Sequence, residues 1–225
     1  MLLFEEKIPL NYRIASVSKV RDIASKLDID PNWLMALFNS ESNLSSSITN
    51  CSGCVGLIQF CPDVSGGKTK TIQGKKIDLN WLKSIGMVKQ LDYVYMYFYP
   101  FKNYIASYDD LYLINFYPNA GGKFAGTLDK GENWVFPFSQ KTYLVNKGID
   151  TNEDGKITIA DFRKFIYKKI PDSAKKYFEN NWFKEKLKIS TNYLNRNKFV
   201  FISVATVTVI TFLSLNILKS KNKGS

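Results

Sequence analysis

The sequence predicts a mainly α-helical domain with long loops, followed by one membrane-spanning helix near the carboxyl terminus. Three observations lead to this architecture. Apolar residues recur at helical spacing in several segments between residues 17 and 117. The stretches between those segments are rich in glycine and serine, which is typical of loops. Residues 199–218 carry no charge and are long enough to cross a bilayer.

Two of the predicted helices lie before residue 42. Residues 17–27 place their apolar side chains on one face of an amphipathic helix. The second helix begins after Asp30, a residue type that caps helix N-termini, with Pro31 at its first position. Its apolar pattern ends near Glu41.

Two more helices are predicted after a long loop that covers residues 42–77. One spans about residues 79–98, and Gly86 is expected to break it. The other opens with Ser107 and Asp110 in the spacing of a capping box and runs to Tyr117. The following stretch up to residue 148 is rich in glycine and aromatic residues and has only a weak helical pattern.

The absence of histidine limits the chemistry that this chain can perform. It excludes Ser–His and Cys–His nucleophile pairs, zinc sites ligated by histidine and acid–base catalysis by imidazole. Catalysis would have to use carboxylates, lysines, tyrosines or cysteines.

The net charge of +11 is concentrated near the C-terminus. Residues 1–161 contain 17 basic and 17 acidic residues, so this part of the chain is neutral. Residues 162–198 contain 11 basic and 3 acidic residues, and residues 219–225 add three lysines. Nucleic-acid binders usually spread basic residues over the recognition domain. We therefore expect no nucleic-acid partner.

Basic residues flank the apolar segment 199–218 on both sides. Arg196 and Lys198 precede it and three lysines follow it, an arrangement that suits contact with lipid headgroups at both interfaces. A buried core helix is the alternative, but the length and the lack of charge favour a single-pass membrane anchor. The first residues, MLLFEEKIPLNYRI, lack the pattern of a secretory signal. The basic stretch 162–198 is expected to lie along anionic lipid headgroups, and residues 171–198 within it are the predicted membrane-proximal helical segment.

Three cysteines lie close together in the loop after the second helix, at positions 51, 54 and 61. A zinc site would need a fourth ligand, and the chain has no further cysteine or histidine. Cys51 and Cys54 have the spacing of a redox pair. Small apolar filling is the preferred interpretation of these residues.

Glu41 is the first candidate for acid–base chemistry. A helix that carries Trp33, Leu37 and Phe38 would place this carboxyl group beside apolar side chains, and burial raises a carboxyl pKa. A carboxylic acid that stays protonated near neutral pH can donate a proton to a leaving oxygen, as in glycoside cleavage. From this chemistry alone, an ordinary polar helix end is the simpler interpretation.

The segment WLMALFNSESNLSSSITNCSGCVGLIQF, residues 33–60, resembles the first two motifs of the lytic transglycosylase family, which has the goose-type lysozyme fold. In that family an apolar helix ends in Glu-Ser, and a Gly-Leu-Met-Gln segment follows in the next loop. The counterparts here are Glu41 with Ser42, and Gly-Leu-Ile-Gln at residues 56–59.

The segment FYPNAGG is similar to the third motif of that family, a Tyr-Asn-Ala-Gly stretch whose tyrosine contacts the catalytic glutamate. The matching residues are Tyr117, Asn119, Ala120 and Gly121. Pro118 separates Tyr117 from Asn119, which departs from the family pattern and affects the role assigned to Tyr117. The resemblance covers about residues 15–125.

The resemblance implies a lysozyme-like helical domain over residues 1–148 that cleaves peptidoglycan with one carboxyl group. Glu41 would protonate the oxygen between N-acetylmuramic acid and N-acetylglucosamine. As a carboxylate it would then accept the proton of the muramyl C6 hydroxyl, which attacks the anomeric carbon and leaves a 1,6-anhydro product. Hydrolysis by water stays open. Asp63, the nearest acid downstream, is expected to form a turn. The implied substrate-binding residues are Ser42, Gly56, Gln59, Tyr117 and Asn119.

DTNEDGKITIAD, residues 150–161, has the pattern of a calcium-binding loop. Gly155 stands at the turn position, and Asp161 replaces the usual glutamate at the last position, as in dockerin-like loops. A solvated acidic turn without a metal is the alternative. If the loop binds calcium, residues 149–170 form a structural calcium clip followed by an exiting helix. The predicted Ca²⁺ ligands are Asp150, Asn152, Asp154, the carbonyl of Lys156, Thr158 and Asp161.

These expectations combine into a hypothesis about location. A peptidoglycan enzyme anchored by its tail and lacking a signal would face the cytoplasm, where its substrate is absent. Either an unusual export route or assembly into a bacteriophage with an internal membrane would resolve this, and we favour the second. Capsid or vertex proteins and a second copy of the chain are then further candidate partners. A structural virion or membrane protein with an inactive glycan-binding domain is the alternative function.

Overall fold

The computed structural model describes residues 1–118, 131–175 and 178. Within them the chain is mainly helical, as predicted. The helices are α1 (Leu10–Leu27), α2 (Pro31–Ser42), α3 (Leu79–Ser84), α4 (Gly86–Phe98), α5 (Tyr108–Phe116), α6 (Gln140–Asn146) and α7 (Ile159–Tyr167). Short 3₁₀ segments cover Glu5–Lys7, Tyr99–Tyr104 and Lys147–Ile149. Two strands, β1 (Thr69–Ile72) and β2 (Lys75–Asp78), form a hairpin.

Several predicted features lie outside the described residues. They are the candidate membrane span 199–218, the tail 219–225, most of the basic segment 171–198, and Asn119, Ala120 and Gly121. Among the residues that are described, none of the helices is long and apolar enough to cross a membrane.

Helix α2 begins and ends through local hydrogen bonds. The Asp30 carboxylate accepts a hydrogen bond of 2.8 Å from the backbone N–H of Asn32, and Pro31 occupies the first helical position. At the other end, Asn43 adopts a left-handed conformation with φ of 51°, and its N–H bonds to the Asn39 carbonyl. The predicted cap and the predicted end near Glu41 are both confirmed.

The predicted break in the third helical segment is also confirmed. Gly86 separates α3 from α4 and has a φ of +75°, a conformation that glycine adopts without steric cost. Helix α5 begins as predicted, with the Ser107 hydroxyl accepting from the Asp110 N–H at 3.1 Å. The Asp110 carboxylate in turn accepts from the Ser107 hydroxyl at 2.9 Å. Burial raises the pKa of Asp110 to about 6, although these hydrogen bonds oppose the rise.

The β-hairpin was not predicted, because residues 42–77 were assigned to loops. Gln73 and Gly74 form its two-residue turn, both with positive φ, and Ile72 pairs with Lys75. Ile72 is the one fully buried side chain of the two strands, so the alternating pattern that marks a strand is nearly absent. Asp63 supports the hairpin by accepting from the Thr71 N–H at 2.8 Å. This agrees with its predicted role as a turn residue.

The core is built around α2, which contacts α1 on one side and α5 on another. Leu34, Leu37 and Phe38 of α2 are completely buried. Each such side chain stabilises the fold by about 1.5–3 kcal/mol relative to an exposed one. Helix α7 contributes Phe162 and Ile166 to the same core. The end of α2 is therefore held in a fixed place by packing on several sides.

An extended segment pairs with the predicted calcium loop. Val135 forms an antiparallel bridge with Thr158, and the Phe136 N–H donates to the Ile157 carbonyl at 2.9 Å. The Ile159 N–H donates back to the Trp134 carbonyl at 3.1 Å. This pairing fixes the second half of the loop against the helical body.

Candidate functional site

Glu41 lies in the last turn of α2 and is partly buried. Burial raises the pKa of its carboxyl group, because the charged form loses hydration. A hydrogen bond from Tyr112 and the positive charge of Lys169 act in the opposite direction, but burial outweighs them. The sequence-based expectation of an acid with a raised pKa at this helix end is thus met.

Tyr112 of α5 is the hydrogen-bond donor to Glu41. Its hydroxyl donates to Glu41 Oε1 and lies 2.7 Å from the Ser40 hydroxyl oxygen. A tyrosine has one hydroxyl proton, so if Tyr112 donates to Glu41, then Ser40 donates to Tyr112. Burial first, and then the negative charge of Glu41, raise the pKa of the Tyr112 hydroxyl well above its usual value. Tyr112 is therefore a donor over the whole physiological pH range.

The two carboxyl oxygens of Glu41 have different surroundings. Oε1 is held by Tyr112, whereas Oε2 accepts no hydrogen bond from any residue that the structure describes. The side chain also keeps part of its surface in contact with solvent. Within the described residues, one oxygen is thus fixed by Tyr112, and the other has no donor and can bond to a ligand.

Other tyrosines surround the same carboxyl group. Burial raises the pKa of Tyr97 and of Tyr108, and in each case the charge of Glu41 is the next cause. The Tyr108 ring packs edge-to-face on the Tyr112 ring, with centroids 5.9 Å apart. These side chains provide the low-polarity surroundings that favour the protonated form of Glu41.

Three other carboxylates, those of Asp109, Asp110 and Asp63, are held in structural contacts. Asp109 is buried and accepts from Arg163 Nε at 2.8 Å, which links α5 to α7. Asp110 caps α5, and Asp63 holds the hairpin. Among the described residues, the one charged group that shifts the Glu41 pKa is Lys169. The arrangement is that of one acid without a carboxylate partner.

Ser42 connects the end of α2 to the loop that follows. Its hydroxyl is buried and lies 3.0 Å from the Phe38 carbonyl oxygen and 3.1 Å from the Leu57 carbonyl oxygen. The side chain predicted to bind substrate thus has a structural contact on each side. It fixes the loop 56–59 next to Glu41.

Gly56 and Gln59 shape that loop. Gly56 has a φ of +72°, and a Cβ atom there would overlap the side-chain amide of Gln90, so glycine is favoured at this position. Gln90 is completely buried and accepts from the Leu57 N–H at 2.7 Å. Gln59 has a φ of 54°, and its side-chain amide donates to the Gly56 carbonyl at 3.1 Å. Asn115 of α5 holds the same loop through the Ile58 carbonyl at 3.1 Å.

The interpretation of the cysteines as small apolar filling is wrong for all three. Cys54 and Cys61 form a disulfide, while Cys51 is a free, exposed thiol. The bond closes the loop that contains Gly56 and Gln59. The predicted alternative pair, Cys51 with Cys54, is not the one formed. The tight turn at Asn50–Cys54 and the antiparallel pairing of Val55 with Phe60 bring the two bonded residues together.

Tyr117 is not the tyrosine that reaches Glu41. Its ring packs edge-to-face on Phe136 and Phe138, with centroids 6.0 and 5.6 Å away. The contact with Glu41 that the resemblance implied for Tyr117 is made by Tyr112, which precedes Tyr117 by about one and a half helical turns. Tyr112 could have been noticed in the sequence because it is an aromatic hydroxyl on the same predicted helix.

The predicted calcium loop is closed by its own hydrogen bonds. Asp150 accepts from the Gly155 N–H at 2.9 Å and from the Tyr143 hydroxyl at 2.7 Å. The Asp154 carboxylate accepts from the Lys156 N–H at 3.0 Å, and the Asn152 amide donates to Asp154 at 3.2 Å.

Asp161 belongs to the start of α7. Its two oxygens accept from the backbone N–H and the hydroxyl of both Thr151 and Thr158, which makes a capping box with Thr158. In the described part of the chain, no three acidic or cysteine side chains are grouped closely enough to hold a metal ion. The oxygen donor types suit Ca²⁺, but their placement here is that of a hydrogen-bonded loop.

Comparison with known proteins adds no identification. No protein family model matches the chain, and no curated protein and no solved structure matches it either.

Proposed function

We propose that the chain is a peptidoglycan-cleaving lytic transglycosylase with a lysozyme-like helical domain, in which Glu41 is both the acid and the base. The observation that carries this proposal is the state of Glu41: its pKa is raised, one oxygen is held by Tyr112, and the other accepts from none of the described residues. The motif resemblance of residues 33–60 suggests the substrate class. In support of it, the Glu-Ser and Gly-Leu-x-Gln segments are joined by the hydrogen bond from Ser42 to the Leu57 carbonyl.

The first step is proton donation. Protonated Glu41 gives its proton from Oε2 to the oxygen that links N-acetylmuramic acid to N-acetylglucosamine, and the glycosidic bond breaks. The resulting carboxylate is stabilised by the Tyr112 hydroxyl and by the charge of Lys169. Both contacts favour the product state of this step.

The second step returns the proton to Glu41. The carboxylate accepts the proton of the muramyl C6 hydroxyl, whose oxygen attacks the anomeric carbon and forms a 1,6-anhydro ring. This route needs no second carboxylate, in keeping with Asp63, Asp109 and Asp110 being held in structural contacts. Attack by water in place of the C6 hydroxyl gives a reducing end instead.

The loop 54–61 contributes to substrate binding in this proposal. The loop is joined to the end of α2 by the hydrogen bond from the Ser42 hydroxyl to the Leu57 carbonyl, and the Cys54–Cys61 disulfide closes it. Disulfides persist in oxidising compartments, where peptidoglycan is also found. The proposed location is the internal membrane of a phage particle, with residues 199–218 as the anchor and cell-wall penetration as the task.

The test is digestion of purified peptidoglycan by the full chain, with products read by mass spectrometry. Parent protein should release anhydromuramyl ends, and Glu41→Gln should release none, a loss of about 100-fold or more. Glu6→Gln, an exposed glutamate, is the matched control and should retain parent activity.

The other outcomes separate the alternatives. Reducing ends made by the parent would identify a lysozyme-type hydrolase. A parent without products that still binds peptidoglycan would overturn the enzyme proposal in favour of a structural glycan-binding protein. Detection of the protein in host envelopes but never in particles would refute the virion location.

A further inference from the structure

We propose that Lys169 is a positioning residue for Glu41, acting through the main chain of Ser40 and through its charge at the end of α2. The proposal deepens the proposed function and rests on it for the catalytic role of Glu41. Lys169 follows α7, and 128 residues separate it from Glu41 along the chain, so no motif around Glu41 points to it.

The main contact is a hydrogen bond from Lys169 Nζ to the Ser40 carbonyl oxygen, with a distance of 2.7 Å. Ser40 lies in the last turn of α2, where carbonyl groups have no partner within the helix. The last turn also carries the negative end of the helix dipole, so a cation is favourable there. Lys169 satisfies one of these carbonyls from outside the helix.

Ser40 connects this contact to the reacting group. Its carbonyl is held by Lys169, while its hydroxyl is hydrogen-bonded to Tyr112, which donates to Glu41. The Ser40 backbone, the Ser40 hydroxyl and the Tyr112 hydroxyl thus connect the Lys169 ammonium group to the Glu41 carboxyl group. A shift of the Ser40 backbone would move both partners of Tyr112.

Helix α7 brings Lys169 to this place. Phe162 of α7 packs edge-to-face on the Tyr112 ring, with centroids 5.8 Å apart. Arg163 is paired with the buried Asp109 of α5. Ile166 and Ile170, on either side of Lys169 in sequence, are buried. The backbone from which Lys169 extends is therefore anchored, although the lysine side chain lies at the surface.

The charged and titratable groups that face Glu41 come from several elements. Tyr97 of α4 and Tyr108 and Tyr112 of α5 are neutral donors or apolar neighbours. Lys7 is a second cation at the end of α2, but its ammonium bonds to the Asn39 and Asn43 side chains. Among the described residues, Lys169 is the cation whose charge acts on the Glu41 pKa, which it lowers.

The consequence for catalysis follows from the sign of this effect. Burial alone would hold Glu41 protonated, and a base is needed in the second step. Lys169 favours the carboxylate and so assists the donation of the proton in the first step, while leaving the group ionised for its role as base. Its removal should raise the Glu41 pKa and move the alkaline limb of the pH–rate profile to higher pH, because the acid form then persists further.

The experiment measures the Glu41 pKa directly and does not depend on activity. The full chain is labelled with ¹³C at glutamate carboxyl carbons, and the signal of Glu41 among the seven glutamates is assigned by its loss in Glu41→Gln. Parent, Lys169→Met, Lys169→Gln, Lys169→Arg and the neighbouring exposed control Lys168→Met are titrated. The pH dependence of kcat/KM on peptidoglycan is recorded for the same set.

Lys169→Met and Lys169→Gln should raise the Glu41 pKa, and Lys169→Arg and Lys168→Met should leave it at the parent value. Lys169→Gln keeps a donor for the Ser40 carbonyl, so it should retain more of the parent kcat than Lys169→Met. If Lys169→Met gives the parent pKa, or if Lys168→Met raises the Glu41 pKa as much as Lys169→Met does, the inference is overturned. If the parent has no activity, the proposed function fails, and the carboxyl titration still decides the case for Lys169.

Discussion

Glu41 and Asp161 are carboxyl groups of one folded unit, but their pKa values are shifted in opposite directions. Burial raises the pKa of Glu41, and one tyrosine and one lysine oppose it. Burial also acts to raise the pKa of Asp161, but hydrogen bonds from Thr151 and Thr158 outweigh it, so the pKa is lowered. The number of donors, more than burial itself, separates a carboxyl group suited to proton transfer from one that stabilises a fold.

The largest effect on stability is expected from replacing Asp161. Asp161→Ala removes four hydrogen bonds and the capping box of α7, which should lower the free energy of unfolding by about 3 kcal/mol. Urea denaturation at pH 7 measures it. The lowered pKa means that the contribution of Asp161 is present above the unfolded pKa of about 3.9 and is lost as pH falls through the folded value. The variant and the parent should therefore converge in acid.

The control is Asp172→Ala, which removes an exposed carboxylate paired with Lys175 on the surface. It should change the unfolding midpoint little. An equal loss in both variants would show that the four hydrogen bonds of Asp161 contribute nothing specific.

Calcium tests whether the loop is more than a hydrogen-bonded turn. If the six predicted ligands bind Ca²⁺, a concentration of about one hundred times the Kd should raise the Tm by about 5 °C or more. Asp150→Asn should abolish the rise, and the same concentration of Mg²⁺ is the control. An unchanged Tm with Ca²⁺ and with chelator would leave the loop as a structural turn.

Tyr112→Phe tests the residue that, in the described part of the chain, donates a hydrogen bond to Glu41. It keeps the ring contacts and removes the hydroxyl, so it should cost about 1 kcal/mol of stability at pH values where Glu41 is ionised. The Glu41 pKa should rise, because the carboxylate loses its donor. Tyr117→Phe is the matched control and should leave the Glu41 pKa unchanged, since the Tyr117 ring packs on Phe136 and Phe138. A rise in both variants would contradict the assignment of the contact to Tyr112.

The smallest effect is expected from Glu41→Gln on stability, with a sign opposite to that of Asp161. A carboxyl group whose folded pKa is raised binds protons more tightly in the native state, so it lowers stability as pH rises above the unfolded pKa of about 4.3. Glu41→Gln should thus gain stability relative to the parent between pH 4 and 7. Thermal unfolding at several pH values measures it, and a difference that stays constant with pH would argue against a raised pKa.

The predictions from sequence succeeded where the signal is local. Asp30 with Pro31, Ser107 with Asp110, and Gly86 each determine a helix start or break through contacts within a few residues. The end of α2 at Glu41 follows from the same apolar pattern. Such features depend on backbone geometry and on short-range hydrogen bonds, so they can be identified without knowing what packs against them.

The failures involve contacts between residues that are distant in sequence or that have weak patterns. The hairpin has one buried side chain, so it lacks the alternation that marks strands. The pairing of Val135 with Thr158 joins two segments without a common motif. The disulfide was missed because three cysteines allow several pairings, and the conformation of the loop selects one.

The sequence by itself determined that this chain is mainly helical, that imidazole chemistry is absent, and that a carboxyl group ends an apolar helix. Helix periodicity, caps and composition carry this information because each depends on nearby residues. Only the tertiary structure decided which groups surround that carboxyl group. Because the helices pack on one core, Tyr112 from α5 reaches Glu41, and Lys169 from beyond α7 reaches the carbonyl of the adjacent Ser40. The resulting balance of burial, hydrogen bond and charge is a property of that packing.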